Sequence, residues 1–282
     1  IRASLSSRIE SGHVRVSAKR NFPELGTKSI PEHPSVGILA LAHHCDVAIV
    51  DDRFLNQHAN IESGGAQLPV FSTLDLLDAL VAARVLSDDE RLEHRTRLRQ
   101  AGYFFVPVSV GELERCLRES TVADGDVVET AELKAVRESV LHVRMRDWLR
   151  LPEETAWLDG TLKAFVRVLR NLWEDGADIE EVTACSNWLV EQTDVRGWAH
   201  CLVPENADNV VRIGRAVLIL LLLMPPTDVH QSVVDAYWNW VEKTILAPLQ
   251  EQYTEVYEWL IDRYRSHVAE MAETQLAERD DS

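Results

Sequence analysis

The sequence predicts an α/β domain with a parallel sheet over residues 1–120, followed by an all-helical domain over 125–282. Three observations carry this. Short strands that are apolar throughout alternate with helical patterns in the first third, as in a parallel sheet covered on both faces. The β signals stop at about Glu112. All eight tryptophans fall beyond that point, in segments with helical periodicity.

Taken in order, His13 to Ala18 (HVRVSA) alternates valine with polar residues, the pattern of a half-buried strand. Pro31 and Pro34 punctuate a loop, and Val36 to His43 (VGILALAH) reads as a short buried helix. Asp46 to Val50 (DVAIV) is a compact apolar strand that runs into Asp51, Asp52 and Arg53. Gly64 and Gly65 form a turn, and Leu68 to Phe71 is a further strand. A helix opens at Ser72-Thr73, with Thr73 as cap and Leu74, Leu77, Leu80 and Val81 recurring on one face. Ser87 caps another helix over 88–101, Gly102 ends it, and Tyr103 to Val108 (YFFVPV) is a third apolar strand. The polar stretch at Asp124-Gly125-Asp126 marks the junction with the helical domain, and the last stretch, 269–282, frays.

Composition bounds the function. With 46% hydrophobic and 27% charged residues, the chain buries a real core and is neither disordered nor low-complexity. Its 29 Lys+Arg against 46 Asp+Glu give a formal charge of -17, which excludes a general nucleic-acid coat. The charge is uneven: residues 1–44 hold six Lys/Arg against three Asp/Glu, whereas residues from Glu242 onward hold ten acids against four bases. A polyanion contact would therefore use the N-terminal region, although an ordinary uneven surface accounts for the same numbers. Four dispersed cysteines (Cys45, Cys116, Cys185, Cys201) without a CxxC speak against a disulfide framework and for a reducing cytoplasm. The longest apolar run, Ala216 to Met224, ends at Pro225 and is shorter than the roughly 20 residues of a bilayer span, so no membrane span is expected.

The segment that carries chemistry is Asp46 to Phe54 (DVAIVDDRF). An apolar strand that ends in two adjacent carboxylates sets them at the carboxyl edge of a parallel sheet, where open α/β folds bind ligands. Hard oxygen donors in that position suit Mg²⁺ or Mn²⁺, and such an ion activates water for phosphodiester hydrolysis. Asn56 and Asp75 belong to the same edge. The plainer account of the pair is that Asp-Asp after a strand caps the next helix.

From Ser35 to about Leu117 the order of elements resembles the C-terminal part of a PIN-like nuclease domain. The matching pieces are the helix GILALA (37–42), the strand ending in Asp51-Asp52-Arg53, Ala59, the Gly64-Gly65 turn, the strand PVF (69–71) and the helix STLDLLDAL (72–80). The resemblance covers less than a third of the chain. It implies that Asp51 or Asp52 is the metal-binding Asp after the fourth strand, and that Asp75 lies at the later acidic region. It also implies a nuclease acting on RNA or DNA, of the kind found in multidomain bacterial toxin or defence proteins. The family's opening strand ending in Asp has no counterpart before Asp46. The carboxylate expected ahead of the ALA helix is replaced by Ser35 and Gly37, with Glu32 the only acid nearby. Either that half lies upstream of Ile1 or the site has decayed.

Two functions follow. In the first, Asp51 and Asp52 bind Mg²⁺ or Mn²⁺, Asp75 assists, and Arg53 or Asn56 meets substrate phosphate. In the second, a catalytically inactive PIN-like scaffold carries a helical domain that binds a protein partner. Other constellations are weaker. His43-His44-Cys45 is too tightly spaced for zinc, His58 with Asp51 lacks a nucleophile, and His200-Cys201 reads as core. The tryptophans serve as packing anchors or, at Trp238 or Trp240, as a partner surface. Arg167 with Arg170 and Arg212 with Arg215 form i,i+3 pairs, read as a solvated stripe or a nucleic-acid contact.

Overall fold

The computed structural model describes residue 11 and residues 46–63, 66–145, 151–175, 178–193 and 225–252, together with 254, 257–262 and 264–266. The strand expected at 13–18, the helix at 36–43, the Gly64-Gly65 turn, His43-His44-Cys45, His200-Cys201, Trp148, Trp198, Arg212, Arg215, the apolar run 216–224 and the tail 269–282 lie outside the described residues. The chain divides into two compact units, Ile1–Arg91 and Leu92–Ser282. It is mostly helical, with a small mixed sheet in the first unit.

That sheet has the order β1-β3-β2, with β1 over Ala48–Ile49, β2 over Asn60–Ser63 and β3 over Ala66–Phe71. β1 runs parallel to β3 with Ala48 opposite Val70, and this is the parallel pair expected from the two apolar runs. β2 was not foreseen. It pairs antiparallel with β3, Asn60 opposite Pro69 and Ser63 opposite Ala66. Pro69 is tolerated in this central strand because the neighbouring Val70 amide takes the bond towards β2, donating to the Ala59 carbonyl at 3.0 Å. Successive amides alternate sides, so Pro69 faces the other edge, and there the β1 pairing begins only opposite Val70. One face buries Ala48 and Leu68 with Val50 packed on them. On the other, Ile49 and its partner Phe71 remain 49% and 43% exposed. The expectation of an all-parallel sheet thus becomes, among the described residues, a three-stranded mixed one.

Helix α1 (Thr73–Ala82) is capped by Ser72, not by Thr73: the Ser72 hydroxyl accepts from the Asp75 amide, and the Asp75 carboxylate accepts from the Ser72 amide in a reciprocal capping box. Helix α2 (Asp88–Gln100) starts as expected at Ser87, whose hydroxyl accepts from the Glu90 amide, and stops at Gly102 with φ +80°.

The second unit corrects two expectations. Residues 103–109 form no strand. Phe105 has φ +59°, a left-handed conformation that a bulky residue rarely adopts and that breaks an extended run. The carbonyls of this segment find side chains in place of a neighbouring strand. Arg99 Nη2 donates to the Pro107 carbonyl at 2.8 Å, and Trp157 Nε1 to that of Val106 at 3.1 Å. The same Arg99 is paired with Glu112, on helix α3 (Val110–Glu119), through Nη1 to Oε1 at 2.5 Å and Nη2 to Oε2 at 3.2 Å. Their side chains are 0% and 3% exposed.

Asp124 and Gly125, read as a domain junction, are instead the tip of a hairpin inside the second unit. It joins β4 (Thr121–Ala123) to β5 (Asp126–Val128). Both turn residues have positive φ, +55° and +83°, as a two-residue hairpin turn of the primed type requires. Asp-Gly satisfies a linker and a tight turn equally well, so composition alone leads to the wrong choice.

Helices α4 (Ala131–Met145), α5 (Pro152–Glu174), α6 (Ile179–Gln192) and α7 (Gln231–Val241) complete the unit. A π-helical turn, Glu242–Leu246, joins α7 to α8 (Ala247–Gln252). α5 packs on α3 and α6, and α6 touches α4, α7 and β5. Their shared core includes Leu113, Leu133, Phe165, Leu169, Trp173, Leu189, Tyr237 and Leu249. Among the described residues the tryptophans are mainly anchors, as the packing reading expected. Each buried indole also satisfies its N–H, which an apolar core requires. Trp173 donates to Ser186 Oγ at 2.9 Å, Trp188 to Glu129 Oε1 at 2.8 Å and Trp240 to Asn187 Oδ1 at 2.8 Å. Trp238 is half-buried with its ring against Tyr237 and Tyr264, whereas Trp259 stands 48% exposed.

Replacing Glu112 by Ala is expected to cost about 3–5 kcal/mol of unfolding free energy, because it strands a buried guanidinium. The double change Arg99→Met/Glu112→Met recovers most of that loss, and urea denaturation of the three proteins checks both outcomes. A pH dependence follows from Glu129. Burial alone would push its carboxyl up, but hydrogen bonds from Arg137 and Trp188, with the Arg137 charge, outweigh that and hold it below the ordinary 4.5. A depressed folded-state value means that its stabilisation is complete above the ordinary value and is lost as pH falls below it. Glu129→Gln is expected to flatten this acid limb in a melting-temperature profile between pH 6 and 3.

Candidate functional site

The three acids read from the sequence follow two neighbouring strands, Asp51 and Asp52 after β1 and Asp75 after β3 in the first turn of α1, and each one has a structural role. Asp51 lies where the chain leaves the sheet, and its carboxylate reaches across to the start of α1. Oδ1 accepts from the Thr73 amide at 2.8 Å and Oδ2 from the Thr73 hydroxyl at 2.6 Å. A helix start has amides with no partner of their own inside the helix, and its dipole favours negative charge, so this contact closes the loop between β1 and α1. Asp52 turns the other way. Its Oδ1 accepts from the amides of Phe54 at 3.0 Å and Leu55 at 2.9 Å, which folds the chain into a 3-10 turn over Leu55–Gln57. Asp75 Oδ2 accepts from both the amide and the hydroxyl of Ser72 at 2.7 Å. Asp51 and Asp75 therefore meet on the Ser72-Thr73 pair, and Asp52 does not join them there.

The two residues expected to meet phosphate sit on the Asp52 turn. The Arg53 guanidinium lies 5.6 Å from the centre of the Phe54 ring, and its carbonyl accepts from Gln57 Nε2 at 3.2 Å. The Asn56 amide donates to the Asp52 carbonyl at 2.9 Å, and its side-chain Oδ1 is buried with no hydrogen-bond partner among the described residues. The His58 amide closes the turn by donating to the Leu55 carbonyl at 3.0 Å.

The donor chemistry here, carboxylates and an amide oxygen, is that of a hard divalent cation. Among the described residues no group of three or more His, Cys, Asp or Glu side chains is placed to share an ion.

Thr73 and Ser72 are the partners that sequence reasoning missed. A signal for Ser72 exists in the Ser-x-x-Asp spacing of the capping box. Thr73 meets Asp51 from 22 residues away, and nothing local marks the pair. Elsewhere, burial pushes the thiols of Cys116 and Cys185 up to about 11, so neither is an activated nucleophile. Of the arginine pair Arg167 and Arg170, the first is exposed and the second half-buried, with its Nε enclosed and unpaired. They do not form one solvated stripe.

Comparison with known protein families, curated proteins and solved structures finds no match to this chain.

Asp51→Ala is expected to lower the urea midpoint of the first unit, by about 1 kcal/mol in unfolding free energy, through the lost helix-start contact. In a double-mutant cycle with Thr73→Val the two losses are expected to overlap and not to add.

Proposed function

We propose that this chain is a PIN-like scaffold without phosphodiesterase activity, and that its helical unit mediates interaction with a protein partner. The observation that carries the reading is the commitment of Asp51, Asp52 and Asp75 to three separate capping contacts. Carboxylates arranged in this way fix the exit from β1, the following turn and the start of α1. In this reading the acids kept from a nuclease-like edge hold the fold together. The helical unit supplies the surface: Trp259 is exposed beside the exposed acids Glu258 and Asp262, and tryptophan is the residue type most enriched at interface hot spots.

A second reading keeps the nuclease, with RNA ahead of DNA as substrate. The enclosed, unpaired Asn56 oxygen beside the Asp52 turn favours it, since a hard cation or a phosphate-bound water would satisfy that atom. Hydrogen bonds that orient a carboxylate are also what a metal ligand needs. In that case Asp51 and Asp52 hold the ion with ligands from outside the described residues, Asp75 positions the edge, and Arg53 meets the phosphate.

Titration of Mn²⁺ into the purified chain, beside Asp51→Asn/Asp52→Asn, separates the readings. The scaffold reading expects no saturable heat in either protein and no metal-dependent cleavage of RNA or DNA. Micromolar binding that disappears in the double variant, with cleavage lost alongside it, overturns the scaffold in favour of the nuclease.

A further inference from the structure

The second unit holds a cleft of about 210 Å³ between α3, the last turn of α5 and the first turn of α6. Small-molecule pockets start at about 300 Å³, so this one suits a single side chain or a small amine. Its walls are charged in one sense. Glu114, Asp175 and Glu181 line it against one base, Arg118. None of these three acids takes part in an ion pair among the described residues. Glu114 is held in place by Asn171, whose Nδ2 donates to Oε1 at 2.6 Å. The C-terminal turn of α5, which carries the negative end of the helix dipole, contains no basic residue.

The distribution of the acids decides the class of ligand. They do not form a group that could share a metal ion, so they surround a volume and do not converge on a point. Beneath them the lining turns apolar, with Leu117, Leu172 and Val182, and with the free cysteine Cys185, which is 3% exposed. A charged head among carboxylates with a methylene stem on an apolar wall is the way Lys and Arg side chains bury themselves. We propose that this cleft binds an alkylguanidinium or alkylammonium cation, either as the side chain of a basic protein segment or as a free amino acid or amine. Arg118 at the rim distinguishes the two sources, because only a free amino acid brings a carboxylate for it to bind. The inference deepens the partner-binding reading, but binding in the cleft itself does not depend on it.

The test is calorimetric titration of the whole chain with n-butylguanidine, L-arginine and a peptide with blocked ends containing one arginine. Saturable butylguanidinium binding is expected, weakened about tenfold or more in Asp175→Asn/Glu181→Gln. Glu181→Lys, which supplies its own cation, is expected to abolish it. Asp159→Asn/Glu251→Gln removes the same charge at two exposed acids elsewhere in the unit and is expected to leave it unchanged, and circular dichroism establishes that each variant is folded. L-arginine binding more tightly, with the advantage lost in Arg118→Gln, assigns the cleft to a free amino acid; tighter binding of the peptide assigns it to a protein side chain. No saturable binding of any probe, or an equal loss in the Asp159/Glu251 control, overturns the proposal. A chain that cleaves RNA yet binds butylguanidinium keeps this inference and discards the scaffold.

Discussion

The buried pair of Arg99 and Glu112 organises the start of the helical unit. A guanidinium cannot give up its proton inside a protein, so removing it from water requires a full set of acceptors. Glu112 supplies two and the Pro107 carbonyl a third, and among the described residues Nε has no partner. The geometry therefore ties three pieces of chain to one side chain: the end of α2, the segment 103–109 and the first turn of α3. Because Glu112 must reach Arg99, the pair fixes where α3 sits as its apolar face meets the core. The Ser109 cap, whose hydroxyl accepts from the Glu112 amide at 3.2 Å, orients the same turn.

A similar economy governs the core beyond it. Among the described residues four tryptophans are buried, each with a large ring and each in need of one acceptor. Those acceptors are a carbonyl of the 103–109 segment and the side chains of Ser186, Glu129 and Asn187. Glu129 is shared. It accepts from Trp188 on α6 and from Arg137 on α4, so one half-buried carboxylate joins the end of the hairpin to two helices. Aromatic contacts then link α5 to α7: Trp173 meets Tyr237 edge-on at 5.3 Å and Trp240 at 5.9 Å. Specificity in this unit comes from a few polar acceptors placed among many interchangeable apolar contacts.

The parts legible in the sequence were those fixed by neighbours along the chain. The apolar runs ending at Val50 and Phe71, the Ser87 cap and the stop at Gly102 all follow from residues within one or two turns. YFFVPV has the composition of a strand, but its conformation is decided by Arg99 and Trp157, which lie outside the window that periodicity examines. Asp124-Gly125 failed for a different reason, since the same dipeptide serves a linker and a hairpin. At the sheet edge, the position of Asp51 and Asp52 at a strand end was readable. The direction in which each carboxylate turns was not, because Thr73 and the Phe54 amide compete for adjacent acids and only the folded backbone decides between them.

The π-helical turn at Glu242–Leu246 gives the C-terminal part of the unit a historical signature. On one side of it Tyr237, Trp240 and Val241 are buried, and on the other Ile245, Leu246 and Leu249 are. A wider turn accommodates one more residue than an α-helix without shifting what lies on either side. The segment therefore reads as an inserted residue absorbed in place, with both apolar faces still directed at one core. Removing one residue there would restore a regular helix and leave Leu249 in register with Trp240, whereas a deletion in the regular helix on either side would rotate everything after it by about 100°. At this turn the helix can therefore lose a residue without disturbing the core on either side.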